Sequence, residues 1–263
     1  MPERPSSRPQ AAAANHLVWG ERQIDILKMH SSRLFLVVSL LLLLAACTTN
    51  PATGDKRFTT LMSPEQERQI GAQQHPRLVE EMGGAYSDPA LQAYVADVGA
   101  KLVSVSETPD LPFTFTIVDT DDVNAFALPG GYVHVTRGLL ALVNSEAELA
   151  GVLAHEIAHV VARHSAERYS GSLAAGLGAA VLGAIAGAAG LPAGVGDLAA
   201  LGSQAYLQSY SRDQELEADM LGIRYLVQAG YEPGAMAGFL ASLDTYSRLQ
   251  AALAGLPAAA TDG

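Results

Sequence analysis

The sequence is poor in cysteine and in charged residues, and both shortages exclude classes of protein. Its 263 residues include one cysteine, Cys47, so no intrachain disulfide can form. Only 16% of the residues are charged while 49% are hydrophobic, a composition that can fill a core and excludes a disordered chain. The formal net charge is -11, whereas nucleic-acid binding requires clustered lysine and arginine. The composition therefore excludes a nucleic-acid partner.

The single cysteine follows a short apolar segment near the N-terminus. Arg33 precedes the apolar residues 34–44, a run shorter than the roughly 20 residues of a membrane span. A basic residue, a short apolar run and then small residues are typical of a secretory signal, although an uncleaved anchor is the alternative. The ending Leu44-Ala45-Ala46-Cys47 resembles a bacterial lipobox, which implies cleavage before Cys47 and lipid on its sulfur. Because Thr48 follows rather than aspartate, the resemblance also implies sorting to the outer membrane.

The composition changes along the chain and predicts its division. A signal of ordinary size begins at Met29, so the preceding residues are interpreted as a mis-called upstream extension. The residues after Cys47 are polar and lack helical periodicity, as expected for a tether. The predicted segments are an extension (1–28), a lipoprotein signal peptide (29–46), a lipidated tether (47–62), a folded domain (63–255) and a tail (256–263), at which the chain is either truncated or short.

Helix and strand signals in the predicted domain indicate an α+β fold that is mainly helical. Helix-start patterns recur at Ser63-Pro64, at Asp88-Pro89 and at Ser145, and the third helix is predicted to run to about Arg168. Alternating residues at 112–119 and a Pro-Gly-Gly turn within 124–140 predict a small sheet. Further helices are predicted over about 203–228 and 234–254. The uncharged, Gly/Ala-rich residues 169–196 are interpreted as a buried hairpin over the site, with membrane contact as the alternative.

Two histidines separated by one helical turn flank a glutamate in the third predicted helix. The residues are His155, Glu156 and His159, within an otherwise apolar stretch. Residues four apart lie on one face of a helix, so both imidazoles can reach one zinc ion, with Glu156 beside them as a general base for the attacking water. Burying these groups without partners would be costly, which favours a metal site over a histidine pair in an ordinary core.

An acidic helix near the C-terminus offers the missing ligand. Glu215 and Asp219 are four residues apart and share a helical face. We expect Glu215 on the metal and Asp219 behind a ligating histidine, fixing its tautomer. Glu217 is predicted to point away into solvent, in a helix that buries Leu216, Ala218, Met220 and Leu221. The alternative is a solvated acidic face paired with arginines.

Three further histidines of the predicted mature chain are not expected to bind this metal. His164 lies five residues beyond His159, which on a continuous helix turns it about 140° away, so a polar role at the helix end is expected. His134 alternates with valines and is predicted on the surface of a strand, with a role beside the substrate as the alternative. His75 is predicted to be solvated on a polar helix.

Three segments, in this order, resemble the zinc metallopeptidases of the CAAX-prenyl-protease, HtpX and Oma type: "NAFALPGGYVHVTRGLL", "LAGVLAHEIAHVVARHS" and "YSRDQELEADMLGIRYLVQAGY". With the lipobox, they are most similar to the periplasmic BepA-like and LoiP-like lipoproteins. The resemblance implies that residues 63–255 form a zinc metallopeptidase domain of the gluzincin type, with a small sheet beside the His-Glu-x-x-His helix and one Zn2+ per chain. It implies zinc ligation by His155, His159 and Glu215, Glu156 as base and Asp219 as support. It also implies a substrate cleft that includes Asn124, Ala125, Phe126, Pro129 and Gly130.

The expected function is that of a zinc metalloendopeptidase, anchored by lipid on Cys47 to the outer membrane and facing the periplasm. Its expected substrates are misfolded or misassembled envelope polypeptides, above all outer-membrane proteins. One alternative is a chaperone or assembly factor whose zinc site is mostly closed. Another is a structural lipoprotein with a vestigial site. Tyr210 and Arg212 are candidates for stabilising an oxyanion, without an assigned role.

Overall fold

The structure, a computed structural model, describes residues 48–188 and 210–255. Within these ranges the chain forms seven helices and two small sheets, which confirms the predicted α+β, mainly helical class. In chain order the elements are β1 (Thr48–Thr49), β2 (Lys56–Arg57), α1 (Pro64–Glu81), α2 (Pro89–Val103), β3 (Thr114–Val118), β4 (Ala125–Leu128), β5 (Tyr132–Thr136), α3 (Arg137–Leu142), α4 (Glu146–Val161), α5 (His164–Ala188), α6 (Arg212–Gln228) and α7 (Ala235–Leu253).

The first two helices begin where their capping residues predict. The Ser63 hydroxyl accepts the Gln66 backbone N–H, and the Gln66 side chain accepts the Ser63 backbone N–H, which completes a capping box. The Asp88 carboxylate accepts the N–H groups of Ala90 and Leu91 at the start of α2. Helix α1 continues through Pro76 without a break.

A three-stranded sheet has the order β3-β5-β4. Strands β3 and β5 are parallel, whereas β4 and β5 form an antiparallel hairpin and pair Phe126 with His134. Gly130 and Gly131 make the hairpin turn at φ 83° and 98°, a region that favours glycine. Strand β4 is therefore an edge strand, as expected for a strand beside a cleft.

Helix α4 lies at the centre of the core. Its apolar residues Leu153 and Ile157 are fully buried, and it contacts α2, α6, α7 and strand β4. A helix that is apolar on most faces must be covered on most faces. The His-Glu-x-x-His sequence is thus placed on the most enclosed helix described.

The predicted helix to Arg168 is interrupted. Helix α4 ends at Val161, and Arg163 adopts a left-handed φ of 58° before α5 begins at His164. The Arg163 side chain donates to Glu67 Oε2 at 3.0 Å and to the Met62 carbonyl at 2.7 Å. These contacts with residues distant in sequence stabilise the interruption between α4 and α5, and helical periodicity alone does not reveal them.

The uncharged segment predicted as a hairpin is helical in its described part. Helix α5 continues to Ala188, while residues 189–196 lie outside the described ranges. Likewise, the helix predicted from residue 203 is described only from Arg212 onward. No helix in the described part of the chain is long and apolar enough to span a membrane.

Residues 48–62, which belong to the predicted tether, pack against the domain. Strands β1 and β2 pair with each other, and Asn50, Thr59 and Met62 are buried. The lipid tether itself stays a prediction, since Cys47 lies outside the described residues.

The prediction that His134 lies on the surface is wrong. Its side chain is fully buried on the central strand β5, beneath α1, where its Nε2 lies 2.9 Å from Nδ1 of His75 and its ring stacks on Phe126. His75, predicted to be solvated, is half-buried in this contact. Burial lowers the pKa of His134 to about 4, and His75 lowers it further. The alternation of residues in β5 predicts that its two faces differ, but it does not reveal that α1 covers the face that carries His134.

We expect His134 to make the fold sensitive to acid. Its pKa is about 4 in the folded chain, against about 6.5 when unfolded. As pH falls between these values, the unfolded chain takes up a proton that the folded chain does not, so stability is lost. The effect approaches about 3 kcal/mol. Urea unfolding at pH 7 and pH 4.5 should show a smaller acid loss in His134→Gln. An unchanged pH dependence would contradict the burial of a neutral imidazole.

Candidate metal centre

Two histidine nitrogens converge on one face of α4. His155 and His159 are one turn apart, and their Nε2 atoms lie 3.0 Å from each other. His159 is buried, whereas the His155 side chain is 20% exposed. Burial holds the pKa of His159 well below its usual value, so its imidazole is neutral. A neutral imidazole is the form that ligates a metal.

Helix α6 brings a carboxylate to the same point. A Cβ built at Gly222 would lie 3.2 Å from the backbone nitrogen of His155, so a side chain there would shift the two helices by a few tenths of an ångström. At this close approach, Glu215 Oε2 lies 3.3 Å from His155 Nε2 and 3.9 Å from His159 Nε2. The structure thus brings together the three predicted ligands, with one donor atom of each within 4.8 Å of the others.

The chemistry of this donor set fits zinc. Two imidazole nitrogens and one carboxylate oxygen are the ligands of many catalytic zinc sites, which keep a fourth position open. Ligands at about 2.0–2.1 Å in a tetrahedron lie about 3.3 Å apart. The observed separations of 3.0, 3.3 and 3.9 Å bracket that value. Small side-chain movements are therefore sufficient to accommodate the ion.

Asp219 lies behind His155, as predicted. Its Oδ1 is 2.9 Å from His155 Nδ1, one turn along α6 from Glu215. Since a carboxylate only accepts hydrogen bonds, the Nδ1 proton points to Asp219 and the lone pair of Nε2 points to the cluster. The contact therefore fixes the tautomer that a ligating histidine requires.

His164 supports the other ligand, a role that was not predicted. Because the chain breaks at Arg163, His164 returns toward the motif, and its Nδ1 lies 2.8 Å from Nδ1 of His159. On the other side, His164 Nε2 faces Glu217 Oε2 at 3.4 Å. A carboxylate there favours the proton on Nε2, which leaves Nδ1 to accept the N–H of His159. The Nε2 lone pair of His159 is then directed to the cluster.

The prediction that Glu217 faces solvent is wrong. Its carboxylate is buried and accepts Nδ2 of Asn50 at 2.6 Å and the guanidinium of Arg57 at 2.6 Å. Burial raises the pKa of Glu217, while Arg57 and Asn50 lower it. Residues 50–57 cover this face of α6, a long-range contact that helical spacing does not reveal.

The predicted burial of two apolar residues in α6 is also wrong. Leu216 is 55% exposed and Met220 is 66% exposed, whereas Ala218 and Leu221 are buried as predicted. The helix is enclosed on the Glu217 side by residues 50–57 and on another side by α4. The face of α6 that meets solvent is therefore rotated by about one residue from the predicted face. It includes Leu216 and Met220 instead of Glu217.

Glu156 lies between two cavities beside the donor cluster. Burial raises the pKa of its carboxyl to about 7, His155 lowers it, and Glu215 raises it. Since the group is poised near neutrality, it can accept a proton and later release it. The predicted ligands, base, supporting aspartate and cleft residues all line one of these two cavities, except Pro129 and Gly130.

The larger space, here called the long cavity, has a volume of about 600 Å³ and follows β4. Asn124, Ala125 and Phe126 line it, as predicted for cleft residues. Pro129 and Gly130 instead line a small void behind His159 and Tyr210. The smaller space, here called the apolar pocket, measures about 310 Å³ and opens on the other side of Glu156.

Two aromatic and cationic side chains in the long cavity adjoin His159. The ring of Tyr210 stacks on that of His159 with centroids 3.7 Å apart, and the Arg168 guanidinium carbon lies 3.9 Å from the Tyr210 ring centroid. Arg212, the other candidate from the sequence, is exposed and does not line the cavity. Arg168 was missed because it follows the unpredicted helix break.

Two converging imidazoles, a carboxylate beside them and a buried glutamate next to an edge strand define the class as a metal-dependent peptidase. Residues 89–258, well over half of the chain, match Peptidase family M48. The chain belongs to this family of metallopeptidases, which confirms the resemblance noted in the sequence.

The curated relatives are longer proteins. The chain is 33% identical to the "Beta-barrel assembly-enhancing protease" of Escherichia coli (strain K12) over 200 residues, which are 74% of this chain and 41% of that protein. It is 37% identical to the protein of the same name from Yersinia pestis over 166 residues, 61% and 34% of the two chains. It is 32% identical to "Mitochondrial metalloendopeptidase OMA1" of Schizosaccharomyces pombe over 190 residues, 70% and 54%. The match thus spans less than half of the bacterial relatives.

Removing a ligand should remove the metal. We expect His155→Ala and Glu215→Gln to lose most bound zinc, because two donors do not make a stable site. Asp219→Asn should retain the site but weaken zinc binding about 10- to 100-fold, because it loses the carboxylate that orients His155. Glu217→Gln should weaken zinc binding less, because Glu217 acts only through His164. Zinc per chain is measured by atomic emission, and affinity by competition with a chelator.

The matched control is His75→Gln, which removes a histidine that does not reach the cluster. It should bind zinc as tightly as the unaltered protein. Undiminished zinc in His155→Ala would contradict the ligand set.

Proposed function

We propose that this protein is a zinc metalloendopeptidase in which His155, His159 and Glu215 hold one Zn2+ and Glu156 is the general base. The observation that carries this proposal is the convergence of these three donors beside the buried Glu156. The family of the chain supports the reaction class. A bound zinc ion would supply a positive charge that acidifies a water molecule and polarises the peptide carbonyl.

Each residue of the site then has a task. Asp219 and His164 hold the protons on Nδ1 of His155 and His159, so both Nε2 atoms stay free to ligate. The Glu156 carboxylate takes the proton of the attacking water and delivers it to the departing amine. Its burial supports both steps, because a pKa of about 7 allows the carboxyl to exist in either form near neutral pH.

The edge strand β4 suits an extended polypeptide as substrate. Among the described residues it pairs only with β5, so its other edge can hydrogen-bond to a peptide backbone. Asn124, Ala125 and Phe126 bring that edge next to Glu156 along the long cavity. Backbone pairing is independent of side chains, which fits an enzyme that acts on unfolded segments of many proteins.

We further propose that the protein acts at the periplasmic side of the outer membrane, on misassembled envelope proteins. The support is the lipobox-like sequence ending at Cys47 and the printed name of the bacterial relatives, which refers to beta-barrel assembly. Lipid on Cys47 would hold the domain close to outer-membrane proteins during their assembly.

Glu156→Gln should abolish cleavage while zinc stays bound. Glutamine is nearly isosteric with glutamate but cannot accept the proton, so we expect a loss of at least about 100-fold in kcat. The measurement uses purified protein with zinc and casein, and zinc per chain is determined in parallel. Equal cleavage by the variant would contradict the mechanism. Equal rescue of envelope defects by both proteins would favour an assembly factor instead.

Cys47→Ser should remove the protein from the outer membrane. Because both the thioether and cleavage at the lipobox need the cysteine, the variant should carry no lipid and keep residues 29–46. Fractionation of cells and mass spectrometry of the mature N-terminus measure both effects. A Cys47→Ser protein that stays in the outer-membrane fraction would contradict the anchor.

A further inference from the structure

The residue proposed to carry lipid is bonded directly to a folded strand. Cys47 precedes Thr48, the first residue of β1, so the residue next to the lipid is already part of the domain. Consecutive Cα atoms lie only about 3.8 Å apart across a peptide bond. A lipid on Cys47 would therefore hold β1, and the surface around it, at the headgroups of the membrane.

Polar contacts hold this strand against α6. Thr48 pairs with Arg57 of β2, and the Arg57 guanidinium donates to Glu217 Oε2 at 2.6 Å. Asn50, which follows β1, donates to Glu217 Oε1 at 2.6 Å. Because the Glu217 side chain is only 5% exposed, these contacts require that β1 and β2 lie directly beside α6. A membrane that meets β1 is therefore close to α6 as well.

The exposed side of α6 is apolar. Between positions 216 and 227, the exposed residues are Leu216, Met220, Ile223 and Val227, with exposed fractions of 55, 66, 42 and 56%. Their spacing of four, three and four residues places them in one line along about 16 Å of the helix, here called the apolar stripe. Its centre lies about a quarter turn around the helix from Glu217, the residue that β1 and β2 contact.

Charged residues border the apolar stripe on both sides. Glu215 and Asp219, both half-buried at the candidate metal centre, lie on one side, and Glu217 lies on the other. A helix with an apolar face and polar flanks lies parallel to a membrane, with that face about 5–10 Å deep at the boundary of headgroups and acyl chains. Such a contact removes the apolar side chains from water, which is favourable.

We propose that the apolar stripe of α6 lies on the phospholipid surface that holds the lipid of Cys47. The inference rests on the proposed anchor and goes beyond it, because it assigns an orientation to the domain. Two contacts, the lipid beside β1 and the stripe on α6, prevent the domain from turning freely about its anchor. Since Glu215 and Asp219 flank the stripe, the candidate metal centre is held close to the membrane surface.

The test is the fluorescence of a tryptophan placed in the stripe. Met220→Trp is purified as the lipidated protein with zinc and placed in vesicles of phosphatidylethanolamine and phosphatidylglycerol. The unaltered protein, whose sequence has one tryptophan at Trp19, supplies the background. The emission should shift to shorter wavelength, and lipids brominated near the top of the acyl chain should quench at least about half of it.

Leu249→Trp is the matched control. Leu249 is 55% exposed but lies on α7, so its tryptophan should keep the emission of a residue in water and be quenched little. Equal quenching at the two positions would overturn the inference. So would a blue-shifted tryptophan at position 220 that brominated lipids do not quench, because protein then covers the stripe, either residues 189–209, a second copy or another partner.

Charges in the stripe separate its own contact from the effect of the anchor. Ile223→Trp should be quenched like Met220→Trp, and adding Met220→Glu and Val227→Glu should lower this quenching at least about twofold, because carboxylates resist burial in lipid. All three positions are exposed, so the variant should fold and bind zinc as before. Undiminished quenching would overturn the inference, since the anchor alone would then bring α6 to the lipid.

Mass spectrometry of residue 47 in the same preparations separates the inference from the proposed anchor. A lipidated Cys47 with an unquenched tryptophan at position 220 would overturn the inference while the anchor stands. An unlipidated Cys47 with a quenched tryptophan at position 220 would overturn the anchor and support the contact of the stripe with lipid.

Discussion

The close packing of α6 on α4 at Gly222 is the contact on which the site depends. No side chain separates the helices there, since even a Cβ atom would come within 3.2 Å of the His155 backbone nitrogen. A side chain at this position would shift the helices by a few tenths of an ångström and move Glu215 and Asp219 away from the histidines. The glycine thus has its effect on the metal centre through the distance between two helices, without contacting a ligand side chain.

Helix α6 supplies one donor and supports both histidines. Glu215 belongs to the donor cluster, Asp219 bonds to His155, and Glu217, on another side of the helix, faces the His164 that bonds to His159. The outer support is itself anchored by Asn50 and Arg57. Asn50 and Arg57 thus reach the candidate metal centre through Glu217 and His164, whose facing atoms lie 3.4 Å apart without a hydrogen bond.

The sequence predicted the parts of the site that follow local periodicity. The spacing of His155, Glu156 and His159, and that of Glu215 and Asp219, placed each set on one helical face, and the structure brings these residues together. The roles of His164, Glu217 and His134 were missed because each depends on contacts distant in sequence. Arg163 breaks a helix that looks continuous, residues 50–57 cover α6, and α1 covers His134. Which segment packs over α6 or over His134 is determined by tertiary packing, which local sequence periodicity does not encode.

The most direct test of the central claim is X-ray absorption at the zinc edge of the purified protein. The account predicts one zinc per chain, bound by two imidazole nitrogens and by carboxylate and water oxygens at about 2.0–2.1 Å. The small fraction of zinc that Glu215→Gln retains should show an altered oxygen shell with both imidazoles still in place. A sulfur ligand, a third imidazole or a spectrum unchanged in Glu215→Gln would contradict it.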